Sequence, residues 1–198
     1  QAHEKSVQAV ANTIFPESLY NRHGNPKFFE VFEQNVLARV RKNDRWSGYY
    51  FERMMHLPVA GEKPRNQLQD IIRRLKDPNV KALNKFELSV FDPLRDVDDS
   101  PYGGQCLSHA SLKVIKGTKT LTLAVLYRNH YYTEKLLGNL IGLGRLMAFI
   151  AKEAEMQVGS LTVLSTHAEI DQPGGCTRGD IAKLLTDFDQ AAVAVVPA

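Results

Sequence analysis

A chain of 198 residues, 43% hydrophobic and 24% charged, has the composition of an ordinary globular protein and enough length to bury one sizeable core, so a single domain over 1–198 is expected. Its net charge of +3 suits small anionic ligands such as phosphates and lacks the concentrated Lys/Arg runs of nucleic-acid or membrane-surface binders. Two cysteines, Cys106 and Cys176, without a Cys-x-x-Cys spacing, argue against a disulfide framework or a structural zinc site and fit a reducing, cytoplasmic setting.

In chain order, residues 1–12 predict a short helix, and the stretch with Pro16, Gly24 and Pro26 as breakers predicts irregular chain. From Pro26 to Arg41, Phe29, Phe32, Val36 and Val40 recur at spacings of three and four, the pattern of a helix packed on one side. The pattern over 41–55 is ambiguous. "NQLQDIIRRLKDPN" is a clear helix: Asn66 caps its start, Leu68, Ile71, Ile72 and Leu75 form one stripe, and Asp77-Pro78 ends it. "KFELSVFDP" predicts a strand, 94–104 an exposed loop, and 106–129 two strands joined at Gly117-Thr118. The segment 134–156 is apolar almost all round, with Gly142 and Gly144 for close approach, so it predicts a helix buried against the sheet. Residues 160–171 predict a returning strand and 179–192 a final helix. No leader is visible, and the apolar stretch 136–151, broken by Asn139 and Arg145, is too short to span a bilayer, so a soluble protein is expected. A start at Gln1 without methionine predicts a piece processed or trimmed from something longer.

The hairpin brings two chemically useful groups together. If its turn centres on Gly117-Thr118, facing residues have numbers summing to about 235, which sets Cys106 opposite Asn129 and beside Arg128. A guanidinium near a thiol favours the thiolate, the nucleophilic form, and its planar fork also fits phosphate. The bland alternative is a small core cysteine and a solvated arginine. His109 lies three residues along the strand, on the opposite face from Cys106 by simple alternation, and is a poor base for that thiol. Cys176, in a Gly-rich loop, has no recognisable partner.

Several separated pieces, in order over residues 66–171, resemble thymidylate synthase and the related pyrimidine hydroxymethylases. "NQLQDIIRRLKDPN" is similar to that family's helix ending in "DP", and "FELSVFDP" to its next strand. "YGGQCLSH" stands where the family carries "PPCH" with its nucleophilic cysteine, "YRNHYYTEKLLGN" where it carries "QRS.D..LG.PFN", and "GSLTVLSTHAEID" resembles the strand ending in "DAHIY". Eleven residues separate Arg128 from Asn139, the family's interval between its phosphate-binding arginine and base-reading asparagine.

The resemblance implies an α/β (α+β) thymidylate synthase-like fold, a mixed sheet covered by helices with a buried central helix and a dimerising sheet, shortened at both ends relative to the family. It implies a homodimer with sheets packed back to back, and apolar residues on both strand faces fit that. Cys106 would be the nucleophile that adds at C6 of a pyrimidine. Arg128, with Asn129 beside it, would hold the nucleotide phosphate, and Asn139 would match N3–H and O4 of uracil, where relatives acting on cytosine tend to place an aspartate. A helix N-cap is the other reading of Asn139. Glu169 and Asp171 would take the places that hold the sugar hydroxyl. Lys81 or Lys85 would substitute for an arginine pair reaching the partner subunit's phosphate. Tyr50, or its neighbour Tyr49, would correspond to a tyrosine used in proton removal from C5, with Glu17 and Glu30 as regional candidates for an early glutamate. Two positions depart from the pattern: Leu107 replaces the histidine after the cysteine, and Tyr131 replaces a folate-binding carboxylate. The implied reaction is transfer of a methyl or hydroxymethyl unit to C5 of a uridine-type nucleotide such as dUMP, with 5,10-methylenetetrahydrofolate as donor. The alternative is a nucleotide-binding sensor module of the same fold.

Overall fold

The computed structural model describes residues 2–40, 49–97, 99, 104–172 and 174–195. The part of the expected 94–104 loop at 98 and 100–103, and the ambiguous 41–48, lie outside them.

The N-terminal region is more helical than its breakers predict. Helix α1 runs over Ala2–Ile14 and α2 over Glu17–His23. Pro16 sits at the N-cap of α2, where its missing N–H costs nothing, and Gly24 ends the helix at φ +69, so the breakers delimit helices rather than prevent them. Helix α3, Lys27–Val31, continues into a π-helical turn over Phe32–Val36 and a 3-10 turn over Leu37–Arg39. The N–H of Leu37 reaches back five residues to the carbonyl of Phe32. That extra residue turns Leu37 into the core after Phe28, Phe29 and Phe32, while the expected Val36 and Val40 are only partly covered. Helix α4, Tyr50–Met55, is buried along its whole length. Helix α5, Gln67–Lys76, matches expectation: the Asn66 side chain accepts the Gln69 N–H, and Leu68, Ile71 and Ile72 are buried.

A mixed four-stranded sheet follows in the order β1-β2-β3-β5, with β1 Phe86–Ser89, β2 Leu107–Val114, β3 Thr120–Tyr127 and β5 Gln157–Ser165. The β1–β2 and β2–β3 pairs are antiparallel and β3–β5 is parallel. A second small ribbon pairs β4, His130–Tyr131, with β6, Ala168–Glu169, in parallel. The hairpin turns at Gly117, φ +80, as expected, and pairs from His109 with Leu126 to Val114 with Leu121 keep the expected register. At Ser108 a bulge intervenes, and its carbonyl accepts both the Val90 and the Phe91 N–H groups. One residue of register is lost there, so Cys106 faces Arg128 rather than Asn129. Alternation fails at the same place: Leu107 and Ala110, three apart, are both buried.

Phe86, Leu88, Leu107, Ala110, Leu112, Leu121, Leu123, Val125 and Tyr127 face the helices and build the core with the aromatic cluster around Phe15, Phe28, Phe51 and Phe149. The other face, expected to be apolar, is mixed: polar along β1 and β2 and partly apolar toward β5. Glu87 there accepts hydrogen bonds from Ser111 at 2.9 Å and Lys113 at 2.6 Å and pairs with His109 Nε2 at 2.8 Å. Burial works against ionisation of Glu87, but Lys113, Ser111 and His109 together hold its carboxyl below the ordinary value. Val158 and Leu164, on β5, are exposed.

Helix α6, Tyr132–Glu153, is the long central helix, and helix α7, Arg178–Val195, ends the described chain. Close approach of α6 to α1 uses Gly138 and Gly142: a Cβ would meet Val10 Cβ at 2.6 Å in one case and the Ala11 carbonyl oxygen at 2.8 Å in the other. Gly144, expected to share that role, faces open space. One side of α6 is exposed at Leu137 and Leu140, because α1 and the sheet cover only the rest. Among the described residues no helix is long and apolar enough to cross a membrane.

Candidate nucleotide-binding and nucleophile site

The site forms where β2 begins and β3 ends. The backbone N–H of Arg128 donates to the carbonyl of Cys106 at 2.9 Å, and the Arg128 Nε–H donates to the carbonyl of Gln105 at 2.8 Å. Gly104 permits this wrap: its φ is +74, and a Cβ there would lie 3.1 Å from Arg128 Nη2. Cys106 is partly exposed at the rim of the core, and Arg128 is exposed.

Tyr50, from the buried helix α4, meets this corner from below. Burial pushes its phenol pKa up, and the adjacent Cys106 adds to that. The backbone N–H groups of Leu107 and Cys106, and the Arg128 guanidinium, pull the other way. Tyr50, Cys106 and Arg128 therefore share one electrostatic neighbourhood. Tyr49 is partly buried on the same helix start, and its pKa is raised by burial and by Glu52. The same helix also buries two charged residues, Glu52 and Arg53. Arg53 grips Asp96 with both terminal nitrogens, at 2.7 and 3.2 Å, which anchors a loop whose Leu94 and Val97 are exposed, as expected of it.

Tyr127 continues the wall. Its ring meets Tyr50 edge-on at 6.5 Å and stacks on His130 at 4.3 Å and 8°. Its fully buried hydroxyl has no hydrogen-bond partner among the described residues. Burial, then Tyr50 and Cys106, push its pKa well above the ordinary value, so it is a neutral phenol. His130 is buried, and that burial lowers its pKa. Its Nε2 accepts from Asn139 Nδ2 at 3.0 Å, and its Nδ1 meets Ser165 Oγ at 2.9 Å. Asn139 is not an N-cap: it lies two turns inside α6, only 3% exposed.

The remaining predicted residues are placed around this group or away from it. Asn129 Oδ1 meets His167 Nδ1 at 2.8 Å, which joins it to the bend after β5. Glu169 is exposed on β6 opposite Tyr131. Asp171 accepts the Thr133 N–H at 2.8 Å, at the start of α6. Lys85 does not join the cluster within one chain. It stands before β1 at the opposite end of the sheet, beside Arg65, Arg74 and Glu87 around a cavity of about 160 Å³. Lys81 bonds the Pro78 carbonyl at 2.6 Å in that same distal region. Glu17 pairs with Arg145 at 2.9 Å, and Glu30 is exposed on α3, so neither reaches the site. His109 is engaged by Glu87 on the outer sheet face.

Sequence reasoning missed His130, Tyr127 and Ser165. A histidine directly after the strand was the available signal, but nothing in its spacing points to Asn139. Among the described residues no group of three or more His, Cys, Asp or Glu is arranged to hold a metal ion. Chemically, the corner offers a partly exposed thiol, an arginine at the facing position, neutral phenols and, through His130, a held carboxamide. No protein-family model matches the chain, and no curated protein is significantly similar to it.

Proposed function

We propose that the protein transfers a one-carbon unit, methyl or hydroxymethyl, to C5 of a uridine-type nucleotide such as dUMP through a cysteine adduct at C6. The observation that carries this reading is the meeting of Cys106, Arg128 and Tyr50 at one corner of the sheet, with Arg128 bonded to the Cys106 carbonyl at 2.9 Å and both side chains acting on the Tyr50 phenol. Arg128 holds the phosphate, with Asn129 beside it. Cys106 Sγ adds to C6, and the electron pair of the C5–C6 double bond moves to C5, which becomes the nucleophile. After C5 has taken the new carbon, its proton leaves to base, the C5–C6 double bond returns and Cys106 is expelled as thiolate. Tyr50, a neutral phenol raised by burial, acts here by hydrogen bonding and proton relay rather than as a free phenolate. Asn139 reads the base edge, while Asp171, just beyond the neighbouring ribbon, faces the sugar.

Methylenetetrahydrofolate, when bound, would supply the carbon; for a hydroxymethyl product it would leave as tetrahydrofolate with water adding to the carbon, and for a methyl product it would also give the hydride and leave as dihydrofolate. The folate-binding carboxylate that the resemblance leads one to expect is Tyr131 here, but Glu169 is the register partner of Tyr131 and offers a carboxylate on the same ribbon. Glu169 is the residue that would meet such a donor. The distal lysines, Lys81 and Lys85, contribute to phosphate binding only in a homodimer, where a second copy brings them to the other's site.

Release of tritium from C5 of labelled dUMP, dCMP, UMP and CMP tests the chemistry, since release requires addition at C6 whatever the final product. Release from a uracil nucleotide is expected, with Cys106→Ser abolishing it. Retained release in that variant removes Cys106 from the mechanism, and affinity without any release makes the protein a nucleotide-binding module. Sedimentation checks the dimer: a monomer of 22.2 kDa at micromolar concentration eliminates the shared phosphate site.

A further inference from the structure

Asn139 carries an amide whose two ends are chemically opposite, and base selection depends on which end faces which way. Its Nδ2 has only hydrogens to give, so the contact at 3.0 Å makes His130 Nε2 the acceptor. The ring proton then resides on Nδ1 and is donated to Ser165 Oγ at 2.9 Å. Stacking on Tyr127 at 4.3 Å, with Tyr132 edge-on at 5.3 Å, fixes the plane of the imidazole. Only 1% of His130 is exposed, so water does not compete for either nitrogen.

From this relay we infer that His130 is the positioning residue that makes Asn139 read uracil rather than cytosine, an inference that rests on the nucleotide-binding reading above. With one Nδ2 hydrogen committed to His130, the amide edge left for a ligand presents Oδ1 as acceptor and the second Nδ2 hydrogen as donor. Uracil offers N3–H as donor and O4 as acceptor, a match in both places. Cytosine offers N3 as acceptor and its exocyclic amine as donor, which requires the amide to turn over. Turned over, Oδ1 confronts the lone pair of His130 Nε2, and two buried acceptors face one another without a proton between them. Loss of one buried hydrogen bond with an acceptor left unpaired corresponds to a discrimination on the order of tenfold to a hundredfold.

The test uses the full chain and two measurements. Long-range proton–nitrogen NMR on protein labelled in histidine reads the tautomer of His130 without any nucleotide, and the Nδ1–H form is expected. Equilibrium binding of dUMP and dCMP is then compared in the wild type, in His130→Phe, which keeps an aromatic ring on Tyr127 but no acceptor, and in Ser165→Ala, which frees the ring to take the other tautomer. The preference for dUMP is expected to fall about tenfold or more in His130→Phe, and less in Ser165→Ala. A purely structural role would weaken both nucleotides alike and leave their ratio unchanged, and an unchanged ratio overturns the inference. So does an Nε2–H tautomer in the wild type, or equal affinity of the wild type for both nucleotides. A wild type that prefers dUMP but releases no tritium leaves this inference standing and overturns only the transfer reaction.

Discussion

The carboxylate of Asp171 accepts the backbone N–H of Thr133 at 2.8 Å and that of Glu134 at 3.4 Å, so a residue beyond β6 caps the first turn of α6. The helix has no cap of its own, since Tyr131 at its N-cap makes no side-chain hydrogen bond. An anion at a helix N-terminus also meets the positive end of the helix dipole. Asp171→Ala should therefore cost about 1 kcal/mol in denaturant unfolding, and Asp171→Asn, which keeps an acceptor, clearly less. Equal losses in the two variants would assign the effect to charge alone.

The glycines of α6 separate by environment. At Gly142 an added Cβ would come within 2.8 Å of the Ala11 carbonyl oxygen and 2.9 Å of Ile14 Cβ, so Gly142→Ala should destabilise by about 1–3 kcal/mol. At Gly144 nothing lies within 4 Å, so Gly144→Ala should stabilise the helix by roughly 0.5–1 kcal/mol through lower backbone entropy in the unfolded chain. Thermal unfolding of the two variants reads opposite signs if α1 packs on α6 as described.

The ion pair of Arg53 with Asp96 is almost fully enclosed, at 5% and 1% side-chain exposure. Asp96→Ala leaves a buried guanidinium uncompensated and should cost about 3–5 kcal/mol. Replacing both partners together by Met and Leu should recover most of that loss, because no charge then remains unpaired. A double variant as unstable as Asp96→Ala alone would show that the pair does more than neutralise itself.

His130 makes stability fall in acid. Its folded pKa is lowered by burial, below the ordinary value of about 6.5. Above that ordinary value the imidazole is neutral in both folded and unfolded chains, and its contribution is complete. As pH falls below it, the unfolded chain takes up a proton that the folded chain refuses, and stability declines until the lower folded value is passed. Subtracting the profile of His130→Phe from that of the wild type, between about pH 8 and pH 5, should isolate this loss. A flat difference would mean that His130 is charged, or equally accessible to protons, in the folded state.

Legibility followed the range of the interactions. The helix at Gln67–Lys76 was readable because its stripe, its Asn66 cap and its Asp77-Pro78 end all lie within a few residues of one another. The hairpin was readable for the same reason: turn chemistry at Gly117 and alternation on both sides are local. The nearness of Cys106 and Arg128 followed from the hairpin. The residue facing Cys106 did not, because the bulge at Ser108 is stabilised by Val90 and Phe91, which follow β1 and are distant in sequence. The same limit hid the π turn at Phe32–Val36, which brings Leu37 into an aromatic core assembled from distant segments.

The sequence by itself determined the strongly patterned local elements, the mixed helical and strand character and the nearness of the Cys106 and Arg128 backbones, since periodicity and turn residues act over a few positions. Only the tertiary structure decided that α4 brings Tyr50 beneath that pair, that Asp171 caps a helix by accepting the Thr133 N–H 38 positions earlier, and that His130 and Ser165 fix the Asn139 amide. Those contacts join residues whose relative positions depend on how α4, α6 and the sheet pack as bodies, and packing is a property of whole surfaces rather than of any short stretch of chain.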